Sequence, residues 1–285
     1  MQIKVKTPAK INLTLEVLDK RPDGFHNIQS IMQMINLYDY LTINIEESNS
    51  TEIKLSGTSK EIPYDKTNLV YKATKLFLDN TNINNKSINI HIEKNIPIAA
   101  GLAGGSSNAA GTLYGLNQLF NNILNTNELH ELCMLLGSDL NVCLEGGCLL
   151  ATGRGEKIQK LPFRENPVSL IKPLHLGIRA KEAYTKFSQL GQKPNLDMTT
   201  KMIDSIKIGT DVRQFLHNDL EVAIFNDYEE LKQIKTIIPK AVMSGSGSTY
   251  FAIEKFIPNI EGYWVMNNLK FIPNGVQEEK NILTF

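Results

Sequence analysis

The stretch Ile96-Pro97-Ile98-Ala99-Ala100-Gly101-Leu102-Ala103-Gly104-Gly105-Ser106-Ser107-Asn108-Ala109-Ala110-Gly111 decides how the rest of the chain is read. Just before it, Ile88, Ile90 and Ile92 alternate with polar residues, the period of a half-buried strand. Just after it, Leu113, Leu116, Leu119 and Phe120 fall at helical spacing, so the order is strand, glycine-rich loop, helix. Gly101, Gly104 and Gly105 accept positive φ and carry no Cβ, so they let the backbone come close to a bulky anion. Ser106 or Ser107 then opens a helix whose first N–H groups lack internal partners, a setting suited to phosphate. The plainer alternative is a flexible turn before a capped helix; the glycines, the paired serines and the strand-to-helix setting together favour phosphate. No Lys follows the glycines, which excludes a Walker loop. A dinucleotide loop wants G-x-G-x-x-G and an acidic residue about 20 positions on, and neither is present. The H-R-D and D-F-G strings of protein kinases are absent as well. A nucleotide site of another kind is left.

Composition narrows the field. At 285 residues the chain is long enough for two domains with proper cores. Lys+Arg and Asp+Glu both number 30, so no basic excess argues for a nucleic-acid partner, and phosphate recognition must be local. No apolar run approaches membrane-spanning length, and the first ten residues lack the apolar core of a signal peptide. Cys133, Cys143 and Cys148 sit in apolar segments without His at zinc spacing, which fits buried thiols in a reducing cytoplasm.

Along the chain, residues 2–6 and 10–18 read as strands. In the second, Ile11, Leu13, Leu15 and Val17 point one way and Lys10, Asn12 and Thr14 the other. By spacing alone that polar face reads as an ordinary solvent face before it reads as a shared ligand site. Arg21 to His26, R-P-D-G-F-H, is a turn by its Pro-Asp-Gly chemistry, with Phe25 and His26 an odd pair to leave on a loop. Strands are expected near 28–35, 40–46 and 52–56, and a helix capped by Thr67. A helix capped by Asn127 stops at Gly137, and Ser138-Asp139 follows, where Asp139 suits capping the next turn as well as chemistry. A hairpin spans Gly146 to Leu161, and the proline-bounded segment 162–167 marks the expected boundary between domains 1–162 and 163–285. Beyond it helices are expected near 181–190, 198–207 and 211–237, then a second glycine-serine turn, M-S-G-S-G-S-T, from Met243 to Thr249.

Three of these stretches, T-P-A-K-I-N-L (Thr7 to Leu13), the central loop and M-S-G-S-G-S-T, resemble the three motifs of the GHMP kinase superfamily, named for galactokinase, homoserine kinase, mevalonate kinase and phosphomevalonate kinase. Within it, R-P-D-G-F-H-N-I-Q-S, L-G-S-D, A-T-G-R-G-E and H-N-D-L-E resemble the branch that phosphorylates the 2-hydroxyl of a cytidine diphosphate-linked methylerythritol in the non-mevalonate route to isoprenoid precursors. The likeness spans nearly the whole chain in the right order, and P-D-G-F-H is its specific part.

The resemblance implies an α+β fold: an N-terminal α/β sandwich domain and a ferredoxin-like C-terminal domain, with substrates bound between them. It implies that Lys10 and Asp139 are the catalytic pair, that Pro97 to Ser107 hold ATP, and that Asn68 and Lys94 lie on the adenosine side. Asn12, Phe25, His26 and Tyr184 are the implied substrate residues, with Phe25 and Tyr184 sandwiching the cytosine. ATP and Mg²⁺ are the implied cofactors, Mg²⁺ held by nucleotide and water with Ser107 nearby and no dedicated protein ligand set. Small molecules are the only partners implied, with no nucleic acid and no membrane, for a cytoplasmic monomer or weak homodimer. Two departures stand out. The family usually follows the catalytic Asp with an apolar residue and Pro, whereas Leu140 and Asn141 follow here, and Ala103 stands for a glycine of the loop, a common substitution. A regulator that keeps the loop without chemistry would need neither Lys10 nor Asp139.

Overall fold

The computed structural model describes residues 1–191 and 197–280. The chain opens with two long strands, β1 (Gln2–Lys20) and β2 (His26–Glu47), then β3 (Glu52–Gly57), α1 (Leu69–Thr81) and β4 (Lys86–Glu93). Helices α2 (Gly104–Leu119), α3 (Thr126–Leu136) and α4 (Leu140–Glu145) lead to the hairpin β5 (Cys148–Gly153) and β6 (Lys157–Lys160). Next run β7 (Pro167–Pro173), α5 (Ala180–Leu190), α6 (Asp197–Ile208), β8 (His217–Asn218), α7 (Asp219–Ile224) and α8 (Glu229–Ile237). The short strands β9 (Val242–Met243) and β10 (Tyr250–Ala252) precede β11 (Tyr263–Lys270) and β12 (Gln277–Glu278).

The strands make two sheets, and the class is α+β. In the eight-stranded sheet the path is β12-β1-β2-β4-β3, with β5 on β2, β6 on β5 and β8 on β1. The four-stranded sheet runs β11-β7-β10-β9, which in its own order of appearance is the antiparallel 4-1-3-2 layer of a ferredoxin-like arrangement. No helix joins β10 to β11. A domain division at residue 162 is our proposal: β7, β9, β10 and β11 build the second sheet, while β8 and β12 reach back to β1.

Two pairs of expected strands prove continuous. Residues 2–6 and 10–18 are one strand because the register shifts between Pro8 and Ala9, and such a bulge tolerates a residue that has no N–H to donate. The segments near 28–35 and 40–46 likewise belong to β2 alone. The helix expected over 211–237 is broken into α7 and α8 with 3₁₀ turns at Arg213–Phe215 and Phe225–Asp227. Asn218 causes the first break: its side chain accepts from the Leu220 N–H and so starts a new helix. Two caps sit elsewhere than expected. Asn68, not Thr67, caps α1, and Asn125, not Asn127, caps α3 in a reciprocal box with Glu128.

Two apolar cores hold the layers. In one, Val5, Leu41 and Ile43 of the sheet pack with Ala109, Leu113 and Leu116 of α2. Gly111 and Gly115 let α2 lie close, since a Cβ there would come within 2.3 Å of Thr7 Cγ2 and 2.7 Å of Ile43 Cδ1. The other core joins the two sheets, with Ile11, Leu13 and Ile35 against Val168, Leu170 and Phe251. Each fully buried Leu, Ile or Phe contributes about 1.5–3 kcal/mol relative to exposure. Ala100 and Leu102 of the glycine loop enter this second core, so the loop is pinned where the sheets meet.

Candidate active site

The loop is held from below by its apolar side chains and from the side by the second glycine-serine turn. Ser244 Oγ donates to Gly101 O at 3.0 Å, and Thr249 N–H donates to Ala100 O at 3.3 Å. A Cβ on Gly101 would lie 1.9 Å from Ser244 O, so only glycine permits this approach. The positive-φ positions are Ala99 (+49°), Gly101 (+74°) and Ala103 (+57°). Gly104 and Gly105 are instead the first residues of α2, so the helix opens before Ser106 and Ser107, its expected start. Ala103 occupies the N-cap position, and no side chain caps the helix. The first N–H groups of α2 therefore face the cleft as donors, with the positive end of the helix dipole behind them.

Lys10 and Asp139 come together in the larger of two cavities, about 940 Å³. Lys10 Nζ lies 3.6 Å from Asp139 Oδ2 and donates to Asn12 Oδ1 at 2.6 Å. The polar face of β1 is not a solvent face: Lys10 is 3% exposed, Asn12 1% and Thr14 0%. Asn12 works within the protein at both ends of its amide, because Nδ2 donates to Ser30 Oγ at 2.8 Å. It orients the Lys10 ammonium as well as lining the cleft. Asp139 stands immediately before α4, yet its side chain makes no capping bond, so the carboxylate is open to the cleft.

Phe25, His26 and Tyr184 all line the same cavity. The ring stacked on Tyr184 is His26, with centroids 5.6 Å apart and planes 19° from parallel. Phe25 is exposed and carries the Arg154 guanidinium over its face at 5.2 Å. His26 Nε2 is 2.9 Å from Ser188 Oγ. Burial holds the His26 pKa below its ordinary value, with the Lys20 charge acting in the same direction. Burial, aided by the Asp139 carboxylate, pushes the Tyr184 hydroxyl well up.

The smaller cavity, about 400 Å³, is lined by Asn68, Lys94 and the loop, and shares Gly101, Ala103 and Ser106 with the larger one. Both adenosine-side candidates are tied into the scaffold. Asn68 caps α1 and donates from Nδ2 to Pro63 O at 2.6 Å. Lys94 Nζ bonds Asp39 Oδ2 at 2.6 Å and Ile96 O at 2.7 Å, locking the start of the loop. Burial lowers the Lys94 pKa, and the Asp39 carboxylate opposes that shift. Ser107, expected beside a metal, is wholly buried and donates its hydroxyl to Pro8 O at 2.7 Å. Ser106 is the serine that lines both cavities.

Sequence reasoning passed over Arg154 and Asn218. Arg154 lies in the quoted A-T-G-R-G-E string, but nothing in its spacing announces a stack on Phe25. Asn218, in H-N-D-L-E, clamps the second glycine-serine turn by donating to Met243 O at 2.6 Å and Gly245 O at 2.8 Å. Burial pushes Cys133 and Cys148 up to about 12 and Cys143 higher still, so these thiols are packing groups rather than nucleophiles.

Comparison with known proteins identifies the family. Residues 68–147 match the GHMP kinases N-terminal domain family. The 4-diphosphocytidyl-2-C-methyl-D-erythritol kinase of Prochlorococcus marinus (strain MIT 9301) is 40% identical over 292 residues, covering 96% of this chain and 93% of the relative. A crystal structure of 4-(cytidine 5'-diphospho)-2C-methyl-D-erythritol kinase matches at 28% identity and TM-score 0.70, over 89% of this chain and 90% of that one. Homoserine kinase from Cytophaga hutchinsonii shares the fold, with TM-score 0.76 at 17% identity over 98% of this chain and 97% of that one. Identity at this level over nearly the whole chain shows the family: the chain belongs to the 4-diphosphocytidyl-2-C-methyl-D-erythritol kinases of the GHMP kinase superfamily.

Proposed function

We propose that the chain transfers the γ-phosphoryl group of ATP to the 2-hydroxyl of 4-diphosphocytidyl-2-C-methyl-D-erythritol, a step of non-mevalonate isoprenoid precursor synthesis. The observation that carries this reading is the junction of the two cavities. The Lys10–Asp139 pair faces the larger one, and the shared wall is Gly101, Ala103 and Ser106 at the start of α2. ATP then lies with its adenosine in the smaller cavity and its phosphates at the α2 N-terminus, and the cytidine end of the acceptor lies by Phe25, His26 and Tyr184. The acceptor oxygen attacks the γ-phosphorus, the bond to the leaving ADP oxygen breaks, and Asp139 takes the hydroxyl proton. Lys10 holds the Asp139 carboxylate and the transferring group in register. A loose phosphoryl-transfer transition state gives positioning and charge neutralisation more weight than deprotonation.

The donors that face this junction, the Ser106 hydroxyl and the Asp139 carboxylate, are oxygens and suit a hard cation. Mg²⁺ arriving with the nucleotide would neutralise phosphate charge there, held otherwise by phosphates and water. A monomer or weak homodimer remains the proposed state, and a reducing cytoplasm suits the buried, unpaired thiols. An ADP-release assay with a panel of hydroxyl acceptors tests the reading. Turnover of the cytidine-linked methylerythritol, with homoserine and mevalonate left untouched, is the expected result. Turnover of either of those, and none of the cytidine compound, overturns it.

A further inference from the structure

Asp139 makes no capping bond of its own, so something else must fix the direction of its carboxylate. The residue two positions on is Asn141, inside α4 itself. Asn141 is 4% exposed and is held by hydrogen bonds at both ends of its amide. Nδ2 donates to Glu156 O at 2.9 Å, which fixes the amide orientation, and Oδ1 accepts from His130 Nδ1 at 3.0 Å. His130 Nε2 faces Glu145 Oε2 at 3.2 Å. One imidazole on α3 thus touches residues 141 and 145, the two ends of α4 that lie on one face four positions apart.

The clamp reaches the substrate side as well. Glu156 Oε2 accepts the Arg154 N–H at 2.6 Å, and Arg154 lies over Phe25. Asn141 therefore ties the helix that follows Asp139 to the turn that carries Arg154.

We propose that Asn141 and His130 are positioning residues for Asp139: their hydrogen-bonded clamp holds α4 so that the carboxylate stays against Lys10. The inference rests on the phosphoryl-transfer reading for its kinetic consequence, but its geometric consequence stands apart from activity. A displacement of about 1 Å in a reacting group can cost on the order of 100-fold in rate. Asn141→Ala and, on the more accessible partner, His130→Ala should each lower kcat about ten- to a hundred-fold per folded molecule while KM for ATP stays within about two-fold. The double variant should be little worse than either single one, because both remove the same clamp. Crystal structures of the two single variants supply the second reading: the Asp139 Oδ2 to Lys10 Nζ separation should open beyond its present 3.6 Å. Variants that melt earlier, yet keep that separation and turn over normally per folded molecule, would reduce the clamp to a stability element and overturn the proposal. If the wild-type chain fails to phosphorylate the cytidine compound, the functional reading falls, and the two crystal structures still decide whether the clamp positions Asp139.

Discussion

Removing either member of the Lys10–Asp139 pair is the most direct perturbation of the proposed chemistry. Asp139→Asn keeps the shape and removes the proton acceptor. Lys10→Met keeps most of the stem and removes the charge. A positioned acid-base group contributes about 10²–10⁴-fold, which at about 1.4 kcal/mol per decade is roughly 3–5 kcal/mol for each single change. If the two side chains worked independently, the double variant would lose the sum, roughly 6–10 kcal/mol. At 3.6 Å, with Lys10 buried and also bound to Asn12, they should instead act as a unit, and the double variant should fall little below the worse single one. Lys10→Met also leaves Asn12 Oδ1 without its donor, a buried loss that costs about 1–3 kcal/mol of stability. Thermal melts must therefore accompany the kinetics. The assay is steady-state ADP release with the cytidine-linked acceptor, beside a calorimetric ATP titration that should change little, since the α2 N-terminus is untouched. Near-normal turnover by Asp139→Asn would refute the role given to the carboxylate. Fully additive losses would refute the coupling.

Other outcomes follow from the same geometry. Gly101→Val should lose ATP binding and melt early, because its φ is +74° and its Cβ would meet Ser244 O at 1.9 Å. Gly105→Val should stay folded by circular dichroism, since only Leu69 Cδ1 lies near at 3.8 Å, yet bind ATP at least about ten-fold more weakly if phosphates approach there. Phe25→Ala and Tyr184→Ala should each raise KM for the cytidine substrate roughly ten-fold, from base stacking of about 1–3 kcal/mol, with KM for ATP unmoved; the reverse pattern would place these rings on the adenine side. His26 should titrate below its ordinary 6.5 in an NMR pH series, and Lys20→Met should move it upward. The sign for stability follows: as pH falls through about 6.5 the unfolded chain takes its proton before the folded one, so this group's contribution to stability is lost toward acid.

The features legible in the sequence are those set by short-range chemistry. Alternating Ile88, Ile90 and Ile92, the loop glycines and the helical spacing after them give strand, loop and helix without reference to the rest of the chain. Much of what escaped depends on neighbours far away in sequence. Ser107 turns inward because Pro8 O, 99 residues earlier, awaits its hydroxyl. Lys94 turns to Asp39 for a similar reason, whereas Asn68 is taken up locally as the cap of its own helix. Tyr184 stacks on His26 and Arg154 lies over Phe25, contacts that no spacing encodes. Pro8 reads as a strand break, yet a bulge carries β1 through it. The long helix expected over 211–237 failed because periodicity weighs apolar positions and does not register that Asn218 prefers to cap.

The three motifs that carried the resemblance also share a physical purpose around one ammonium group. A buried Lys is costly unless its charge is met by hydrogen bonds and a counter-charge. From the first motif come Lys10 and Asn12, which accepts from it at 2.6 Å. From the central loop comes Leu102, whose carbonyl accepts the Lys10 main-chain N–H at 3.1 Å and fixes the strand against the loop. From the third comes Gly245, at φ +55°, where a Cβ would stand 3.3 Å from Lys10 Nζ and 3.4 Å from Asn12 Oδ1. Ser30 locks the Asn12 amide from below, so Asn12 cannot rotate its oxygen away. With these directions filled, the Lys10 ammonium is aimed toward Asp139 and the cleft that both line. A chain with equal numbers of acidic and basic residues has no general field with which to gather phosphates. On the proposed function, that work falls to the enclosed Lys10 ammonium and the α2 N-terminus, where burial makes each charge count for more than it would at the surface.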